Sequence, residues 1–365
     1  MVFSGPISRP FPTVVTLFTS LRRSLWPALY GRLPGGVQEA YAAARFGFRH
    51  QAPNTAYIET TSACNLNCVM CPTQRPAVKA NKPSAHLDLD LFRRLIDEIV
   101  ADHPAITTLY LHKDGEPLLH PRIVEMIDYA ASRHGNVILV TNATMLDEAM
   151  TRAILATPLQ QIRFSVDGLT RETFEKIRIQ LPTNEFAGDG VDVGFQAVMR
   201  NIQRFLALRQ EGGNRVKVGI RTTEFKPTAG EITAYRAHWL GKVDFVDVAG
   251  LISWSGMVSK EDQDQRQPCI APWSAVVISA NGHLVPCCTY VSPGANGKGR
   301  LFDLNQGSLA QALRSEGRKA LLRAQLDGDL ATEAPYCVPC RDWRAVEVPA
   351  MGRRWNLLML RRVAR

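Results

Sequence analysis

The sequence predicts an α/β protein: a partial, TIM-like (β/α)6 barrel followed by a small module of one β-hairpin and helices. From residue 56 onward, short apolar runs alternate with longer amphipathic segments, which is the pattern of parallel strands joined by helices. Polar and cysteine-containing motifs follow these runs, at the strand ends where a parallel barrel carries its active site. After Pro268 the pattern changes to two close apolar runs separated by Asn281 and Gly282, a strong hairpin signal.

Six apolar runs predict the barrel strands, at residues 56–61, 108–112, 137–142, 162–167, 216–223 and 245–252. Amphipathic stretches between them predict packing helices, most clearly at 89–103, 121–135 and 195–212. The Gly- and Asp-rich segment 180–194 is longer than an ordinary connection, which predicts a functional loop. After the barrel, 274–288 is predicted to form the hairpin and 308–326 one helical stretch.

We expect four regions along the chain. They are a basic amphipathic leader, the barrel, the cysteine-bearing module and a basic tail, at 1–52, 53–255, 256–345 and 346–365. The net charge of +9 is concentrated in the leader and the tail, which are rich in Arg. These basic ends could contact a membrane surface, although packing of a terminal helix on the barrel is the simpler interpretation.

Composition excludes several classes of protein. The 365 residues are 45% hydrophobic and 21% charged, which is ordinary for a globular protein. No apolar run is long enough to span a bilayer and no secretory signal is visible, so we expect a cytoplasmic location. No known nucleic-acid-binding module is recognisable, and we expect no nucleic acid as a partner.

Eight cysteines fall into two groups, at Cys64, Cys68 and Cys71 and at Cys269, Cys287, Cys288, Cys337 and Cys340. Because cytosolic thiols stay reduced, such groups indicate metal binding or a catalytic thiol. The first three thiolates leave one position open on a zinc ion or a [4Fe–4S] cubane, where a cofactor can bind. The alternative is a zinc knuckle completed by His86 or His112. Four thiolates of the second group can close one cluster or one structural zinc site.

The CxxxCxxC spacing of Cys64, Cys68 and Cys71, directly after a first strand, resembles the radical SAM superfamily. The resemblance implies a [4Fe–4S] cluster whose open iron binds S-adenosylmethionine (SAM). It also implies reductive cleavage of SAM to a 5′-deoxyadenosyl radical that abstracts a substrate hydrogen, with electrons from a flavodoxin- or ferredoxin-type reductant. Met70 stands where family members often place an aromatic residue against the adenine.

Segments after the second and third strands also resemble family motifs. Gly115 and Glu116 match a Gly-Gly-Glu-like segment that binds the SAM amino group, with Asp114 in place of a glycine. Asn142 matches a Thr-Asn-Gly pattern in which Ala143 replaces the glycine.

The segment after the fourth strand resembles a motif of the branch that acts on larger substrates. Ser165 and Asp167 match its Ser-x-Asp-Gly pattern, and the resemblance implies that the serine contacts the SAM carboxylate. Arg178 resembles a helix arginine that pairs with the same carboxylate, for which the guanidinium fork is suited.

The second cysteine group resembles the SPASM/twitch branch of the family, in which C-x12-G-x4-C is followed by a CxxC. No cysteine follows Cys340, so the chain resembles the shortened twitch form with one auxiliary [4Fe–4S] cluster. Its implied ligands are Cys269, Cys287, Cys337 and Cys340. Cys288 is the extra thiol, and the sequence does not separate it from Cys287. A fully ligated cluster is implied to accept an electron from the substrate radical.

The resemblance implies a radical SAM oxidoreductase that dehydrogenates a sugar, a cyclitol or a lipid-linked small molecule. One alternative is a ribosomal-peptide or protein maturase of the same branch, and another is a non-catalytic zinc-binding interaction protein. Peptide maturases often carry an N-terminal recognition domain, for which residues 1–52 are too short, and this favours a small-molecule substrate.

Candidate catalytic residues lie at the ends of the last two strands. Arg221 and Glu224 sit at the end of the fifth strand and are the candidates for substrate binding and general-base chemistry. Trp254, Ser255 and His112 are also expected to face the substrate. A scaffold or surface role is the alternative for each of them.

Overall fold

The computed structural model describes residues 53–79, 85–181, 191–254, 256, 269–291, 299–327 and 329–342. The predictions for the leader 1–52, the tail 346–365, Ser255 and most of the loop 180–194 lie outside the described residues. None of the helices in the described part of the chain is long and apolar enough to cross a bilayer.

One sheet organises the described residues. Its strands are β1 (Thr55–Ile58), β2 (Thr108–Tyr110), β3 (Val137–Thr141), β4 (Gln161–Ser165), β5 (Lys217–Glu224), β6 (Phe245–Gly250), β7 (Ala275–Ile278), β8 (His283–Val285) and β9 (Phe302–Asp303). Their spatial order is β6-β5-β4-β3-β2-β1-β7-β8-β9. Strands β1 to β7 run parallel, whereas β8 and β9 are antiparallel additions. The six predicted barrel strands and the predicted hairpin are confirmed.

Helices connect these strands. They are α1 (Pro76–Lys79), α2 (Leu89–Asp102), α3 (Ile123–Ala131), α4 (Glu148–Leu155), α5 (Arg171–Ile177), α6 (Phe195–Glu211), α7 (Ile232–Trp239), α8 (Ala271–Ser274), α9 (Leu309–Leu313), α10 (Glu316–Asp327) and α11 (Leu330–Glu333). Short 3-10 turns lie at Pro117–Leu119, Ala229–Glu231 and Pro335–Cys337. The three helices predicted from amphipathic periodicity correspond to α2, α3 and α6.

The stretch predicted as one helix at 308–326 is two helices, α9 and α10. A capping box at Ser308 starts α9. The Ser315 hydroxyl then accepts a hydrogen bond from the Arg318 amide (3.3 Å), which is the bond that caps a new helix. At Gly317 an added Cβ would lie 2.5 Å from the Leu301 carbonyl oxygen, so the chain packs tightly against the residue that precedes β9.

Successive side chains along each strand point alternately into the hydrophobic core and into the barrel interior. On β1, Ala56 and Ile58 enter the main hydrophobic core beneath the helices, while Tyr57 lies on the inner face. Helix α2 begins where Asp88 accepts a hydrogen bond from the Leu91 amide (2.9 Å), and its apolar side packs into the same core. The inner faces of the strands are therefore available to line a cavity.

The hairpin is not a separate layer, because β7 pairs in parallel with β1 and extends the barrel sheet. A second, smaller hydrophobic cluster lies below the hairpin, where Tyr290 and Tyr336 meet edge to face at 5.1 Å between ring centroids. Cys287 and Cys337 pack against this cluster. The second cysteine group thus has a hydrophobic support of its own.

Candidate active site

The first cysteine loop joins β1 to α1 and is fixed by backbone pairing with the segment after α5. The Asn67 amide donates to the Ile179 carbonyl (2.7 Å), and the Val69 amide donates to the Ile177 carbonyl (2.9 Å). Met70, expected to cover the adenine, is half-buried in this loop. The pairing places the loop beside Arg178, which the sequence assigned to the same site.

The three thiols of this loop lie close enough to influence one another's charge. Cys64, Cys68 and Cys71 keep some contact with solvent, but the surrounding protein is dense. Desolvation raises the pKa of Cys64 and Cys71, and it raises the pKa of Cys68 to about 12 although Arg178 acts in the opposite direction. Holding three thiolates here therefore requires a cationic centre, and an all-sulfur set of three fits a [4Fe–4S] cubane with one iron open.

A cubane differs from a single-ion site in how its ligands are spaced. The described residues contain no group of three Cys, His, Asp or Glu side chains positioned to hold one metal ion. In a [4Fe–4S] cluster each thiolate binds a different iron, so the cysteines stand further apart than the ligands of one zinc ion.

Gly115 and Glu116 lie directly behind this loop. A Cβ at Gly115 would lie 2.2 Å from the Thr61 carbonyl oxygen and 2.5 Å from that of Ala63, so only glycine fits. The Glu116 amide donates to the Ala63 carbonyl at 2.8 Å. The glycine of this motif therefore serves close packing between the two loops.

The Glu116 carboxylate joins its loop to the one after β3. It accepts hydrogen bonds from the Thr141 hydroxyl (2.6 Å), the Asn142 amide (2.7 Å) and the Leu118 amide (3.1 Å). Burial raises the pKa of Glu116, and these hydrogen bonds oppose that effect. The carboxylate thus already has three protein donors in a buried setting.

Asn142 continues the same network towards the cysteine loop. Its side-chain amide donates to Asn65 (2.9 Å), and its carbonyl accepts from Thr144 (2.6 Å). Ala143 has a φ of 64°, in the left-handed region that favours glycine. The related motif has glycine at this position, and the backbone here explains why.

Asp167 and Arg178 form a buried ion pair near the cysteines. The Arg178 Nε and Nη2 atoms donate to Asp167 Oδ2 at 2.9 and 2.6 Å, and Asp167 Oδ1 accepts from the Thr223 amide at 2.7 Å. Ser165 ends β4 on its inner face, in register with Arg221. Of the residues assigned to SAM from the sequence, Glu116, Asp167 and Arg178 lie near enough to Cys64 and Cys68 to influence their pKa values.

Asp114, which replaces a glycine of the motif, has a structural partner. Its Oδ2 atom lies 2.6 Å from Lys113 Nζ, and Lys113 also donates to the Tyr290 carbonyl at 2.8 Å. Both side chains are almost fully buried. This pair ties the loop after β2 to the segment that follows Cys288.

A cavity of about 620 Å³ lies between the barrel wall and the second cysteine group. Barrel residues on one side include Tyr57, His112, Arg221 and Trp254. On the other side the cavity is lined by all five cysteines of the second group, namely Cys269, Cys287, Cys288, Cys337 and Cys340. A molecule of sugar size in this cavity would contact both parts of the protein.

The structure separates the two candidate catalytic residues. Arg221 points to the inner face of β5 and lines the cavity, whereas Glu224 is exposed and is not among the lining residues. The two are an odd number of positions apart, so their side chains leave opposite faces of the strand. His112 and Trp254, which were expected to face the substrate, line the cavity.

The cysteines of the second group lie close together on the side of the cavity opposite the barrel wall. Cys287 lies close enough to Cys269, Cys337 and Cys288 for their charges to raise its pKa, after burial as the main cause, and Cys340 is similarly affected by Cys269. The Asp342 amide donates to Cys340 Sγ at 3.3 Å. Four thiols in reach of one another fit a fully ligated cluster.

Asp342, which the sequence did not single out, fixes the CxxC loop to the barrel. Its carboxylate accepts from the Ser253 amide (2.7 Å) and hydroxyl (2.8 Å) and from the Trp254 amide (3.0 Å). Trp254 has a φ of 50°, so this bend in the backbone depends on external support. An acid two residues after Cys340 was the available signal.

Comparisons with known proteins agree with this geometry. The model of the radical SAM superfamily matches residues 58–220, and the model of an iron–sulfur cluster-binding domain, SPASM, matches residues 269–342. The AdoMet-dependent heme synthase of Methanosarcina barkeri is 33% identical over 127 residues, which is 35% of each chain. Mycofactocin maturase MftC of Mycobacterium tuberculosis is 29% identical over 128 residues, 35% of this chain and 31% of the relative.

A solved structure gives the same fold. The crystal structure of BtrN in complex with AdoMet and 2-DOIA superposes with a TM-score of 0.50 at 15% identity, covering 80% of this chain and 94% of BtrN. The chain spans only about a third of the length of the curated relatives described above.

The fold and the two cysteine groups define an iron–sulfur barrel enzyme. The chain carries a radical SAM domain at residues 58–220 and a SPASM-type domain at residues 269–342. Its cofactors are accordingly SAM, a [4Fe–4S] cluster that binds it, and an auxiliary cluster.

Proposed function

We propose that the enzyme dehydrogenates a sugar, a cyclitol or a lipid-linked small molecule, with the auxiliary cluster as electron acceptor. The observation that carries this proposal is the cavity, which has Arg221 and His112 on its barrel side and the auxiliary cysteines on the other. A substrate held there has an electron acceptor within contact range.

The proposed reaction removes first a hydrogen atom and then a proton and an electron from the substrate. When bound, SAM and its cluster supply the 5′-deoxyadenosyl radical that takes one hydrogen atom from the substrate carbon. Conversion of CH–OH to C=O then requires loss of one hydroxyl proton and one electron. In the proposal a base in the cavity would take the proton, and Cys269, Cys287, Cys337 and Cys340 would hold the cluster that supplies the electron acceptor.

The residues around the first cluster are proposed to hold SAM. Glu116 and Asn142 would lie by its amino group, Ser165 and Arg178 by its carboxylate, and Met70 by its adenine. Gly115 and Asp167 would act through packing and through the ion pair with Arg178, because their described contacts are with protein. A flavodoxin- or ferredoxin-type protein is the proposed reductant.

The test uses reduced, reconstituted enzyme with SAM and a small-molecule extract of the host. We expect 5′-deoxyadenosine together with a product lighter than its substrate by two hydrogens, measured by mass spectrometry. A double variant, Cys337→Ala with Cys340→Ala, should still cleave SAM but should not form the oxidised product. Cys288→Ala is the matched control and should retain it.

Folding must be measured beside activity, because small cluster-binding modules depend on their metal for stability. A double variant with a parent-like melting temperature that still forms oxidised product at the parent rate would show that the auxiliary cluster is structural. Loss of product in the Cys288→Ala control would assign that thiol to the cluster.

Peptide maturation is the second candidate, because MftC, a maturase, is among the relatives that share the core sequence. The small cysteine-lined cavity favours a compact substrate over a folded peptide complex. Incubating the enzyme with any short peptide encoded beside its gene distinguishes peptide maturation from small-molecule dehydrogenation. A SAM-dependent mass change in that peptide would favour maturation.

A further inference from the structure

The inner wall of the barrel beside the cavity carries an unusual set of charges, of which Arg221 lines the cavity itself. Arg163 on β4, Arg221 on β5 and Asp247 on β6 all lie on the inner face, where buried strands normally present apolar side chains. Arg221 and Asp247 are directly paired in the strand register. The three side chains are between about a fifth and a third exposed, so they are accessible to a small molecule.

Positive charge exceeds negative charge on this wall. The Asp247 Oδ2 atom lies 3.7 Å from Arg163 Nη1 and 3.6 Å from Arg221 Nε, which are ion-pair contacts longer than hydrogen bonds. One carboxylate therefore faces two guanidinium groups. Nearby Lys113 adds no net charge, because Asp114 contacts it directly.

The two arginines differ in how they are held. Arg163 lies over the rings of Tyr110 and Phe245, at 5.5 and 5.3 Å from their centroids, which fixes its guanidinium. Arg221 lines the cavity, and in the described part of the chain its side chain makes no hydrogen bond. A bidentate anion is the ligand that such a guanidinium accepts best.

His112 adds a neutral hydrogen-bond acceptor to the same wall. Its ring packs edge-on against Tyr57 and Tyr110 and lines the cavity. Its buried Nδ1 atom has no hydrogen-bond partner among the described residues. Burial and the charges of Arg221 and Arg163 lower the pKa of His112 to about 3, so the imidazole is neutral and keeps one acceptor nitrogen.

We propose that this wall is a subsite for a substrate with an anionic oxygen group next to a hydroxyl, where Arg221 binds the anion and His112 accepts the hydroxyl hydrogen bond. The inference rests on the proposed function and narrows its substrate class to phosphorylated or carboxylated sugars, cyclitols or lipid headgroups.

Binding measurements test the subsite without turnover. The probes are glycerol 3-phosphate, which has hydroxyls beside its phosphate, and propyl phosphate, which has none. Isothermal titration uses reconstituted enzyme saturated with SAM, so that the open iron is already occupied. The parent enzyme should bind glycerol 3-phosphate several-fold more tightly than propyl phosphate.

Three variants separate the two roles. Arg221→Gln should weaken both probes by about tenfold, because it removes a charge-assisted contact. His112→Phe should weaken only glycerol 3-phosphate, by about three- to tenfold, the value of one hydrogen bond. His112→Gln restores an acceptor and should recover part of the preference.

Arg152→Gln is the matched control, because Arg152 lies on the exposed surface of α4 and pairs with Glu148. It should bind both probes like the parent. Parent-like binding by Arg221→Gln, or failure of the parent to bind either probe, would overturn the subsite. Normal probe binding without any substrate oxidation would leave the subsite intact and refute the proposed reaction instead.

Discussion

Gly115→Ala is expected to disturb the first cluster site. The added Cβ would lie 2.2 Å from the Thr61 carbonyl oxygen and 2.5 Å from that of Ala63. Both obstacles are backbone atoms of the segment that leads into Cys64, so no side-chain rotation relieves the contact. The two loops must separate instead.

The magnitude follows from that separation. A non-bonded carbon and oxygen need roughly 1 Å more than the 2.2 Å available, and close-packed interiors resist such shifts. Overpacking of this kind costs about 3 kcal/mol. In a protein of this size that corresponds to a melting temperature lowered by roughly 4 °C. The Glu116 amide would also lose its 2.8 Å bond to Ala63.

The assay compares the parent, Gly115→Ala and Gly135→Ala in thermal melts, iron content and SAM cleavage. Gly135 is the matched control, because a Cβ there would meet nothing within 4 Å. We expect reduced stability and reduced SAM cleavage only for Gly115→Ala. Parent-like values for both variants would refute the packing argument for this motif.

Three further changes test separate parts of the account. Ala143→Gly should raise the free energy of unfolding by about 1 kcal/mol in urea titration, because residue 143 has a φ of 64°. Asp342→Ala should lower it by about 3 kcal/mol and reduce iron content, since Ser253 and Trp254 lose their acceptor. Folding lowers the pKa of His112 to about 3, so protons bind the unfolded chain more tightly, and stability falls as the pH drops below 6.5. In paired thermal melts the parent should lose about 1 kcal/mol more than His112→Gln between pH 6.5 and about pH 5.5.

Each of these has a clear contrary result. An unchanged urea midpoint for Ala143→Gly would remove the strain argument. Full iron content and stability in Asp342→Ala would show that the CxxC loop does not depend on this carboxylate. Parallel pH profiles for the parent and His112→Gln would mean that folding does not lower the pKa of His112.

Much of the barrel could be predicted because its signals are local. Buried strands and amphipathic helices have different periods, and each period is visible within about ten residues. The pairing of β7 with β1 could not be predicted, because it joins Thr55 to Ala275 and leaves no local trace. The end of α9 and the start of α10 near Ser315 could not be predicted, because the helical pattern of the sequence is continuous there. A single capping hydrogen bond to Ser315 starts the second helix.

In the candidate site too, local features could be predicted from the sequence, whereas contacts between distant segments could not. Cysteine spacing is local and identified the first cluster loop, while the contacts that fix it come from distant segments. Strand alternation alone could have separated Arg221 from Glu224, since side chains an odd number of residues apart leave opposite faces. Arg163 and Asp247 were also visible as charges within apolar runs, but their partnership appears only when β4 and β6 flank β5.

The central claim is that two clusters occupy two separate cysteine groups and that only the first one cleaves SAM. Iron content and 5′-deoxyadenosine formation in anaerobically reconstituted protein test it most directly. The parent should hold about eight iron atoms per chain. The triple variant Cys64→Ala, Cys68→Ala, Cys71→Ala should keep about half of that iron and form no 5′-deoxyadenosine. A triple variant that still cleaves SAM, or a colourless parent that holds stoichiometric zinc, would contradict the account.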